Sequence, residues 1–216
     1  MNDNNIVKLT PQIALCYEDK TQGIYLGVDD SHHKKDVLQN LNGDKFISII
    51  AGSIDIKNNE TDKISSLNTG KSYFISHDAN YQMQKKTNLK QFYFIHQPII
   101  KYTPTKLSTK KVVCIDENNT IHWQETADGF RKKIVYKSQN EKLTVGVWQG
   151  ANFKTDKIRF PYNEFMLLKS GCLICTDAQS VVHKINSGEA LFVPKDSCCS
   201  WQSQGVVSLH FVQLKA

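Results

Sequence analysis

The sequence repeats itself, and this internal repeat limits the possible fold more than any other feature. A spacing of 119 residues, which becomes 118 after one loop, brings glycines and apolar runs of the two halves into register. The matching segments are 24–28 with 143–147, Gly52 with Gly171, and 70–75 with 188–193. In a chain of 216 residues, this pattern predicts two copies of one domain of roughly 100 residues. The join falls in the polar stretch 98–111.

Each copy has the pattern of β structure. Short apolar runs rich in β-branched and aromatic residues occupy 45–51 and 91–95 in the first copy, and 165–170 and 206–212 in the second. Gly and Asn pairs, such as Asn58-Asn59, punctuate these runs as turn signals. Many short strands at close spacing are typical of a sandwich or barrel, so we predict an all-β protein.

Charge and apolar content exclude several classes of function. The 27 Lys and Arg residues outnumber the 21 Asp and Glu residues, which gives a net charge of +6. This excess is spread over short runs, and nucleic-acid binders concentrate it on one face, so we expect no nucleic-acid partner. No apolar run reaches the roughly 18 residues of a membrane span. The polar N-terminus lacks the pattern of a signal peptide. We therefore expect a cytoplasmic protein whose six cysteines are reduced.

The second copy carries sequence motifs in a defined order. They are Trp148, the Tyr-Asn-Glu-Phe step at 162–165, Gly171, the run 188–194, and Trp201. This order and spacing resemble the cupin family, and most closely the cupins related to ethanolamine utilisation and to ureidoglycine aminohydrolase. The resemblance implies two tandem cupin domains, each a double-stranded β-helix (RmlC-like jelly-roll) barrel. We place a degenerate N-terminal barrel at 12–98 and a C-terminal barrel at 112–215.

The resemblance also implies where a metal would bind, and the residues there are poor ligands. Cupins of the usual type use two His and one Glu of the first motif and one His of the second. In the C-terminal copy only Glu164 is kept; the other positions fall at Ile158 and Phe160 (or Lys157 and Arg159) and at Cys199. In the N-terminal copy they fall at Lys45, at about Gln39 and Leu41, and at Tyr81. Because a metal site needs about three or four donors, we expect no metal cofactor. A weak, water-rich divalent site, or one recruiting His210, stays open as an alternative.

Two side chains at these motif positions are candidate catalytic groups. Glu164 is either an acid or base whose pKa burial raises, or a carboxylate bonded to a basic neighbour on the barrel wall. On a strand, adjacent Cys198 and Cys199 point to opposite faces, and the family register favours Cys199 as the inward one. A buried cysteine is either a nucleophile or a small apolar side chain, and both interpretations stay open.

Aromatic and basic side chains provide the candidate ligand-binding groups. Trp148, Phe160, Tyr162 and Trp201 stand at positions that line the barrel mouth in the family, although core packing explains such residues equally well. Lys45 and Tyr81 hold comparable positions in the N-terminal copy, together with Tyr73. An inward lysine is costly unless paired, so we expect an anionic ligand in that barrel.

The remaining cysteines and histidines are weaker candidates for a functional site. Cys172 and Cys175 have CxxC spacing, but strand positions three apart face opposite sides, so they cannot converge on a metal. His32 and His33 lie in a polar run that we expect to be exposed. We interpret His77 as a loop residue, and the group His96, His122 and His210 as structural histidines near strand ends.

These observations support three functional hypotheses. The leading one is a cytosolic two-barrel cupin that binds a small polar organic molecule in the C-terminal barrel without the usual metal. The second is a metal-dependent cupin enzyme with substituted ligands, similar to ureidoglycine aminohydrolase. The third is a non-catalytic sensor or accessory protein. The barrels are expected to pair within one chain, as a monomer with internal pseudo-symmetry or as a homodimer. Substrate and reaction do not follow from the sequence.

Overall fold

The structure of the protein is a computed structural model, and the regular secondary structure of its described residues consists of β strands. The structure describes residues 5–12, 16–30, 42–97, 112–116, 123–126, 129–138 and 141–215. These residues form two compact units. The N-terminal unit is Pro11–Asp116, and the C-terminal unit combines Met1–Thr10 with Glu117–Ala216. The described part of the chain contains no helix long and apolar enough to cross a membrane.

The described residues contain twenty strands. The first ten are β1 (Val7–Leu9), β2 (Cys16–Asp19), β3 (Ile24–Asp30), β4 (Asp44–Ala51), β5 (Ser53–Asn58), β6 (Ile64–Asn68), β7 (Ser72–Ile75), β8 (Tyr81–Lys85), β9 (Lys90–His96) and β10 (Val112–Ile115). The last ten are β11 (Gln124–Glu125), β12 (Arg131–Lys137), β13 (Leu143–Ala151), β14 (Ile158–Arg159), β15 (Asn163–Ser170), β16 (Cys172–Asp177), β17 (Val182–Asn186), β18 (Ala190–Val193), β19 (Cys198–Ser203) and β20 (Val206–Leu214).

Each unit pairs a large sheet with a small one. In the N-terminal unit the strand orders are β10-β7-β4-β9-β3-β2 and β6-β5-β8. In the C-terminal unit they are β1-β18-β15-β20-β13-β12-β11 and β14-β19-β16-β17. Apolar side chains from the two sheets of a unit pack into one buried cluster, which lies between these sheets in the interior of that barrel. The predicted all-β, two-barrel architecture is confirmed.

The repeat seen in the sequence is also a repeat in space. Lys45 of β4 lies opposite Ile95 of β9, and Glu164 of β15 lies opposite Gln213 of β20, so the two strand pairs share one register. At the edge of the large sheet, β10 pairs with β7 in the N-terminal unit, and β1 pairs with β18 in the C-terminal unit. The two large sheets therefore receive equivalent edge strands from different parts of the chain.

The position of β10 differs from the expected domain boundaries. The sequence placed residue 112 at the start of the second barrel, whereas Val112–Ile115 belongs to the N-terminal unit. An unpaired edge of β7 would expose free backbone donors and acceptors, and β10 satisfies them. The residues that precede the first predicted barrel do the same for β18.

Two of the repeated glycines mark a turn that requires glycine. Gly52 follows β4 with a φ of +83°, and Gly171 follows β15 with a φ of +84°. A Cβ at either position would collide with a backbone carbonyl oxygen, that of Asn88 or that of Val206. A left-handed φ and a close backbone approach together explain why both copies keep glycine there.

Candidate functional site

A carboxyl group lies inside the C-terminal barrel. Side chains alternate along β15, and Met166 and Leu168 belong to the apolar cluster in the lumen. Glu164 is on the same face as these two residues, and it is buried, with only 7% of its surface exposed. Glu164 therefore points into the barrel, and its role as an acid or base stays a prediction.

The side chain of Gln213 connects three polar groups at this site. Its Nε2 donates to Glu164 Oε1 at 3.0 Å and to the Tyr162 hydroxyl at 3.1 Å. Its Oε1 accepts a hydrogen bond of 3.2 Å from Lys132 Nζ. An ammonium group can only donate and a carboxylate can only accept, so these two partners fix the orientation of the amide. We call Lys132, Tyr162, Glu164 and Gln213 the lumen network.

The lumen network leaves hydrogen-bonding capacity unused. Glu164 makes its hydrogen bond through Oε1, and Oε2 has no partner among the residues described. Lys132 Nζ donates one hydrogen bond and lies 4.5 Å from the centre of the Phe211 ring. An ammonium group has three donors. The site can therefore offer a ligand both an acceptor and donors within an apolar enclosure.

Burial shifts the pKa values of this network. Desolvation raises the pKa of Glu164 to about 7, although the hydrogen bond from Gln213 and the charge of Lys132 oppose this shift. Desolvation lowers the pKa of Lys132, while the charge of Glu164 opposes it. Burial and the nearby Glu164 raise the pKa of Tyr162 to about 12. Near neutral pH, Glu164 can therefore exist in both protonation states.

The aromatic residues singled out in the sequence lie in two groups of packed rings, one of which includes Tyr162 of the lumen network. Phe160 is 5.7 Å from Trp201 and 6.2 Å from Tyr162, measured between ring centres. Trp148 packs against two rings that were not predicted, Phe130 at 5.0 Å and Phe153 at 5.5 Å. These rings belong to the core cluster or pack against it, and lining of a ligand pocket stays a prediction.

Cys199 lies in the same lumen and has a neighbour that the sequence analysis did not identify. It is fully buried, and so is Cys175, which lies diagonally across from it in the pairing of β16 with β19. Cys172, the first cysteine of the CxxC spacing, is on the other face of β16 and is partly exposed. The cysteine neighbour of Cys175 is therefore Cys199 on the adjacent strand, not Cys172 on its own strand.

The N-terminal barrel holds a different polar pair in the equivalent place. Lys45 is buried, with 5% of its surface exposed, and its Nζ donates to the Tyr81 hydroxyl at 2.9 Å. The same Nζ is 5.4 Å from the centre of the Tyr81 ring. Burial raises the pKa of Tyr81 to about 12. Tyr73 is also buried in this lumen, close to the backbone of Asn68.

His77 and His96 accompany a buried aspartate of the N-terminal unit. Asp44 Oδ1 accepts hydrogen bonds from the backbone N and from Nδ1 of His77, both at 2.9 Å, and Asp44 Oδ2 is 3.9 Å from His96 Nδ1. Asn163 holds the equivalent position in the second copy and accepts from the backbone N of Lys195 at 2.8 Å. The common role of Asp44 and Asn163 is to fix the loop after β7 or β18.

The donors at the family's metal position do not fit a tightly bound transition metal. Ile158 and Arg159 are exposed, and Arg159 is paired with Asp196. Phe160 is one of the lumen rings. His210 lies opposite Leu167 whereas Gln213 lies opposite Glu164, so His210 is on the face of the sheet that points away from Glu164 and cannot be recruited.

The described residues contain no group of three or more His, Cys, Asp or Glu side chains that could hold a metal ion. Gln39, Leu41, His32, His33 and His122 lie outside the described residues.

The sequence held weak signals for the residues that were not predicted. Gln213 is a polar residue at an inward position of the apolar run that forms β20. Lys132 lies in the basic run 131–133, which suggests a solvated surface rather than the inside of a barrel. Predicting that Cys175 lies near Cys199 would have required knowing that β16 pairs with β19, and no local sequence pattern specifies that pairing.

Comparison with solved structures identifies the fold. The chain has the cupin fold, present as two barrels. A cupin 2 conserved barrel domain protein from Leptotrichia buccalis is 12% identical, with a TM-score of 0.63 over 98% of this chain and 89% of that one. No protein-family model matches the sequence, and no curated protein matches it.

Two further structures have the same fold. A protein of unknown function from Pseudomonas syringae pv. tomato, assigned to the DUF861 family, is 15% identical, with a TM-score of 0.73 over 91% of this chain and 84% of that one. Streptomyces albus HEPD, solved with 2-hydroxyethylphosphonate and Fe(II) bound, is 6% identical, with a TM-score of 0.62 over 100% of this chain and 77% of that one. At these identities the likeness concerns the fold.

Proposed function

We propose that this cupin binds a small polar organic molecule in the lumen of its C-terminal barrel, with Glu164 as the central hydrogen-bonding group and without a tightly bound metal. The observation that carries the proposal is the buried carboxyl of Glu164, held by Gln213 and close to Lys132. Burying the carboxyl of Glu164 and partly burying the ammonium of Lys132 in an apolar enclosure costs free energy. Ligand binding by these two groups would explain why the protein keeps them there despite this unfavourable free energy.

The chemistry of the lumen network indicates the kind of ligand. Glu164 Oε2 suits an N–H or O–H donor, and Lys132 Nζ suits an acceptor such as a carboxylate or a carbonyl oxygen. The rings of Phe160 and Trp201 suit a flat or apolar portion of the ligand. A molecule with a donor and an acceptor a few bonds apart would use all of these groups.

Glu164 is also the candidate catalytic group if the ligand is transformed. A carboxyl with a pKa of about 7 both accepts and donates protons at neutral pH, as general acid–base catalysis requires. Cys199 is the second candidate in the same lumen. For the N-terminal barrel, the prediction of an anionic ligand beside Lys45 and Tyr81 stays a proposal.

The test is a ligand screen by thermal shift and calorimetry, using small carboxylates, ureides and amines, each with and without Mn²⁺. A bound ligand stabilises the fold by mass action. We expect a specific compound to raise the Tm of the wild-type protein without Mn²⁺, and Glu164→Gln to abolish the shift. Glu141→Gln, at an exposed ion pair with Lys137, is the matched control and should keep the shift. A shift that survives both Glu164→Gln and Trp201→Ala would refute this site.

A metal-dependent cupin enzyme with substituted ligands is the second candidate, and it is favoured by the fold shared with HEPD, which was solved with Fe(II) bound. Elemental analysis of the purified protein distinguishes the two proposals. A stoichiometric transition metal that is lost in Glu164→Ala would replace the first proposal by the second. If no compound and no metal binds, the hypothesis of a sensor or accessory protein gains support.

A further inference from the structure

The lumen of the N-terminal barrel contains a second pair of polar side chains, apart from Lys45 and Tyr81. Gln91 of β9 lies opposite Asp29 of β3 on one side and opposite Ile49 of β4 on the other. Ile49 belongs to the apolar cluster of this lumen, and side chains at directly opposite positions of paired strands share a face. Asp29 and Gln91 therefore both point into the barrel. They are buried, with 5% and 0% of their surfaces exposed.

One hydrogen bond joins this pair and fixes the orientation of the amide. Gln91 Nε2 donates to Asp29 Oδ2 at 3.1 Å. An ionised carboxylate can only accept, so the amide directs its NH2 group at Asp29. The other end of the amide, Gln91 Oε1, is then a buried acceptor, and it has no hydrogen-bond partner among the residues that the structure describes. The lumen thus holds one unused acceptor next to a carboxylate.

The backbone of the barrel does not require polar residues at these two positions. The repeat places Trp148 at the position of Asp29 and Leu209 at the position of Gln91, and these two residues also lie opposite each other. Leu209 belongs to the apolar cluster of the C-terminal lumen, and Trp148 packs against it. A buried acceptor without a donor costs free energy, which an apolar pair avoids. A ligand that donates to Gln91 Oε1 would remove this cost.

We propose that Asp29 and Gln91 form a binding site for a protonated primary amine inside the N-terminal barrel. The ammonium group donates to Gln91 Oε1 and lies against the carboxylate of Asp29. Such a group carries only donors and a positive charge, which suits an acceptor beside a carboxylate. Leu89 and Tyr93, the inward neighbours of Gln91 on β9, belong to the apolar cluster and suit the carbon chain of the amine.

A divalent metal ion fits this pair less well than an amine. Ca²⁺ takes about six to eight oxygen ligands, and Mg²⁺ needs about six in octahedral geometry. The next carboxylate on β3, Asp30, is on the opposite face of the strand and is paired with Lys90 at 3.3 Å. The amine site also does not rest on the function proposed above. It is in the other barrel from Glu164, and the inward residue Ile47 separates it from Lys45 along β4.

The experiment titrates the isotope-labelled full-length protein with methylammonium chloride at constant ionic strength and follows the side-chain NH2 signals by NMR. The signals of Gln91 are those missing from Gln91→Leu, which carries the residue that the other copy has at this position. Gln91→Met identifies the same signals where Gln91→Leu does not fold. We expect the Gln91 signals to shift and to reach half-saturation on the order of 10 mM, because so small a ligand binds weakly. Tetramethylammonium and K⁺ have the same charge but no N–H donor, and they should leave these signals unchanged.

Three variants assign the site to this barrel. Asp29→Asn keeps the shape of the side chain and removes its charge, so methylammonium should bind about tenfold more weakly. Asp30→Asn, on the opposite face of the same strand, is the matched control and should bind like wild type. Glu164 also suits a hydrogen-bond donor, but it is in the other barrel. Glu164→Gln should therefore keep the shift of the Gln91 signals, whatever happens to the ligand site around Glu164.

Three results would overturn the proposal. Gln91 signals that do not move with methylammonium would mean that a bound water, not an amine, donates to Gln91 Oε1. An equal shift with tetramethylammonium or K⁺ would show a response to charge or ionic strength alone. Binding that is as tight in Asp29→Asn as in wild type would show that the carboxylate takes no part.

Discussion

The substitution Glu164→Gln tests the central feature of the site, a carboxyl whose ionisation is opposed by burial. The pKa of Glu164 rises from 4.5 to about 7 on folding. One pKa unit corresponds to 1.36 kcal/mol, so a fully ionised Glu164 destabilises the folded unit by about 3 kcal/mol. Because the folded state binds this proton more tightly than the unfolded state, the stabilisation is present below pH 4.5 and is lost as pH rises through about 7. Glutamine stays neutral and lacks this pH dependence.

The assay is urea unfolding followed by tryptophan fluorescence. The three tryptophans, Trp123, Trp148 and Trp201, all belong to the C-terminal unit, so the signal reports the unit that contains Glu164. We expect the free energy of unfolding of wild type, relative to Glu164→Gln, to fall by about 2 to 3 kcal/mol between pH 5 and pH 8. Every other titrating group is common to both proteins and cancels in this difference.

A control and a second variant make the result specific. Glu141 is exposed and its pKa is lowered by its hydrogen bond with Lys137, so its contribution is lost only at acid pH. Glu141→Gln should therefore show no change relative to wild type between pH 5 and pH 8. Lys132→Met removes a charge that favours ionisation of Glu164, so the pKa of Glu164, followed by carbon NMR, should rise further. A wild-type to Glu164→Gln difference that is equal at both pH values would refute the reasoning.

Two more predictions concern the scaffold. Asp44→Asn keeps an acceptor for the backbone N of His77, as Asn163 does in the other copy, but removes the charge whose hydrogen bond raises the pKa of His77. The His77 pKa should fall in an imidazole NMR titration. The variant should be less stable than wild type below pH 6.5, and this deficit should shrink as pH rises through the His77 pKa; an unchanged titration would contradict this. Gly188→Ala, at a φ of +85° in open space, should cost about 1 kcal/mol in urea unfolding. Gly171→Ala, at a similar φ against a carbonyl oxygen, should cost clearly more, and equal costs would count against the steric argument.

The fold could be predicted from the sequence because its signals are local. Gly52 and Gly171 recur where a left-handed φ is required, and apolar runs of strand length stand at constant distances from them. These positions determine the backbone conformation of both copies, so an alignment of one half of the sequence with the other identifies them. The alignment does not identify the edge strands β1 and β10. They take equivalent places in the two large sheets, but they are not separated by the spacing of the repeat.

The candidate site could be predicted only in part, for a physical reason. Glu164 and Cys199 occupy motif positions, and the sequence therefore identified them. Gln213, Lys132 and Cys175 reach the lumen through strand pairings that close the barrel, and such pairings join residues far apart in the chain. Arg131-Lys132-Lys133 has the appearance of a solvated basic run, yet Lys132 lies over the Phe211 ring inside the barrel.

The two barrels keep the same backbone determinants and differ in their lumens. Asp44 and Asn163 fix equivalent loops, while the inward position one residue later is Lys45 in one barrel and Glu164 in the other. The partner opposite that position changes with it: Ile95 faces Lys45, whereas Gln213 faces Glu164 and donates to it. A buried lysine bonded to a neutral tyrosine favours a negative guest, whereas a carboxyl that ionises near neutral pH favours a guest that donates hydrogen bonds. The proposed ligand sites of the two barrels therefore differ in charge, and we expect the ligand screen to find one set of compounds whose binding depends on Lys45 and another whose binding depends on Glu164.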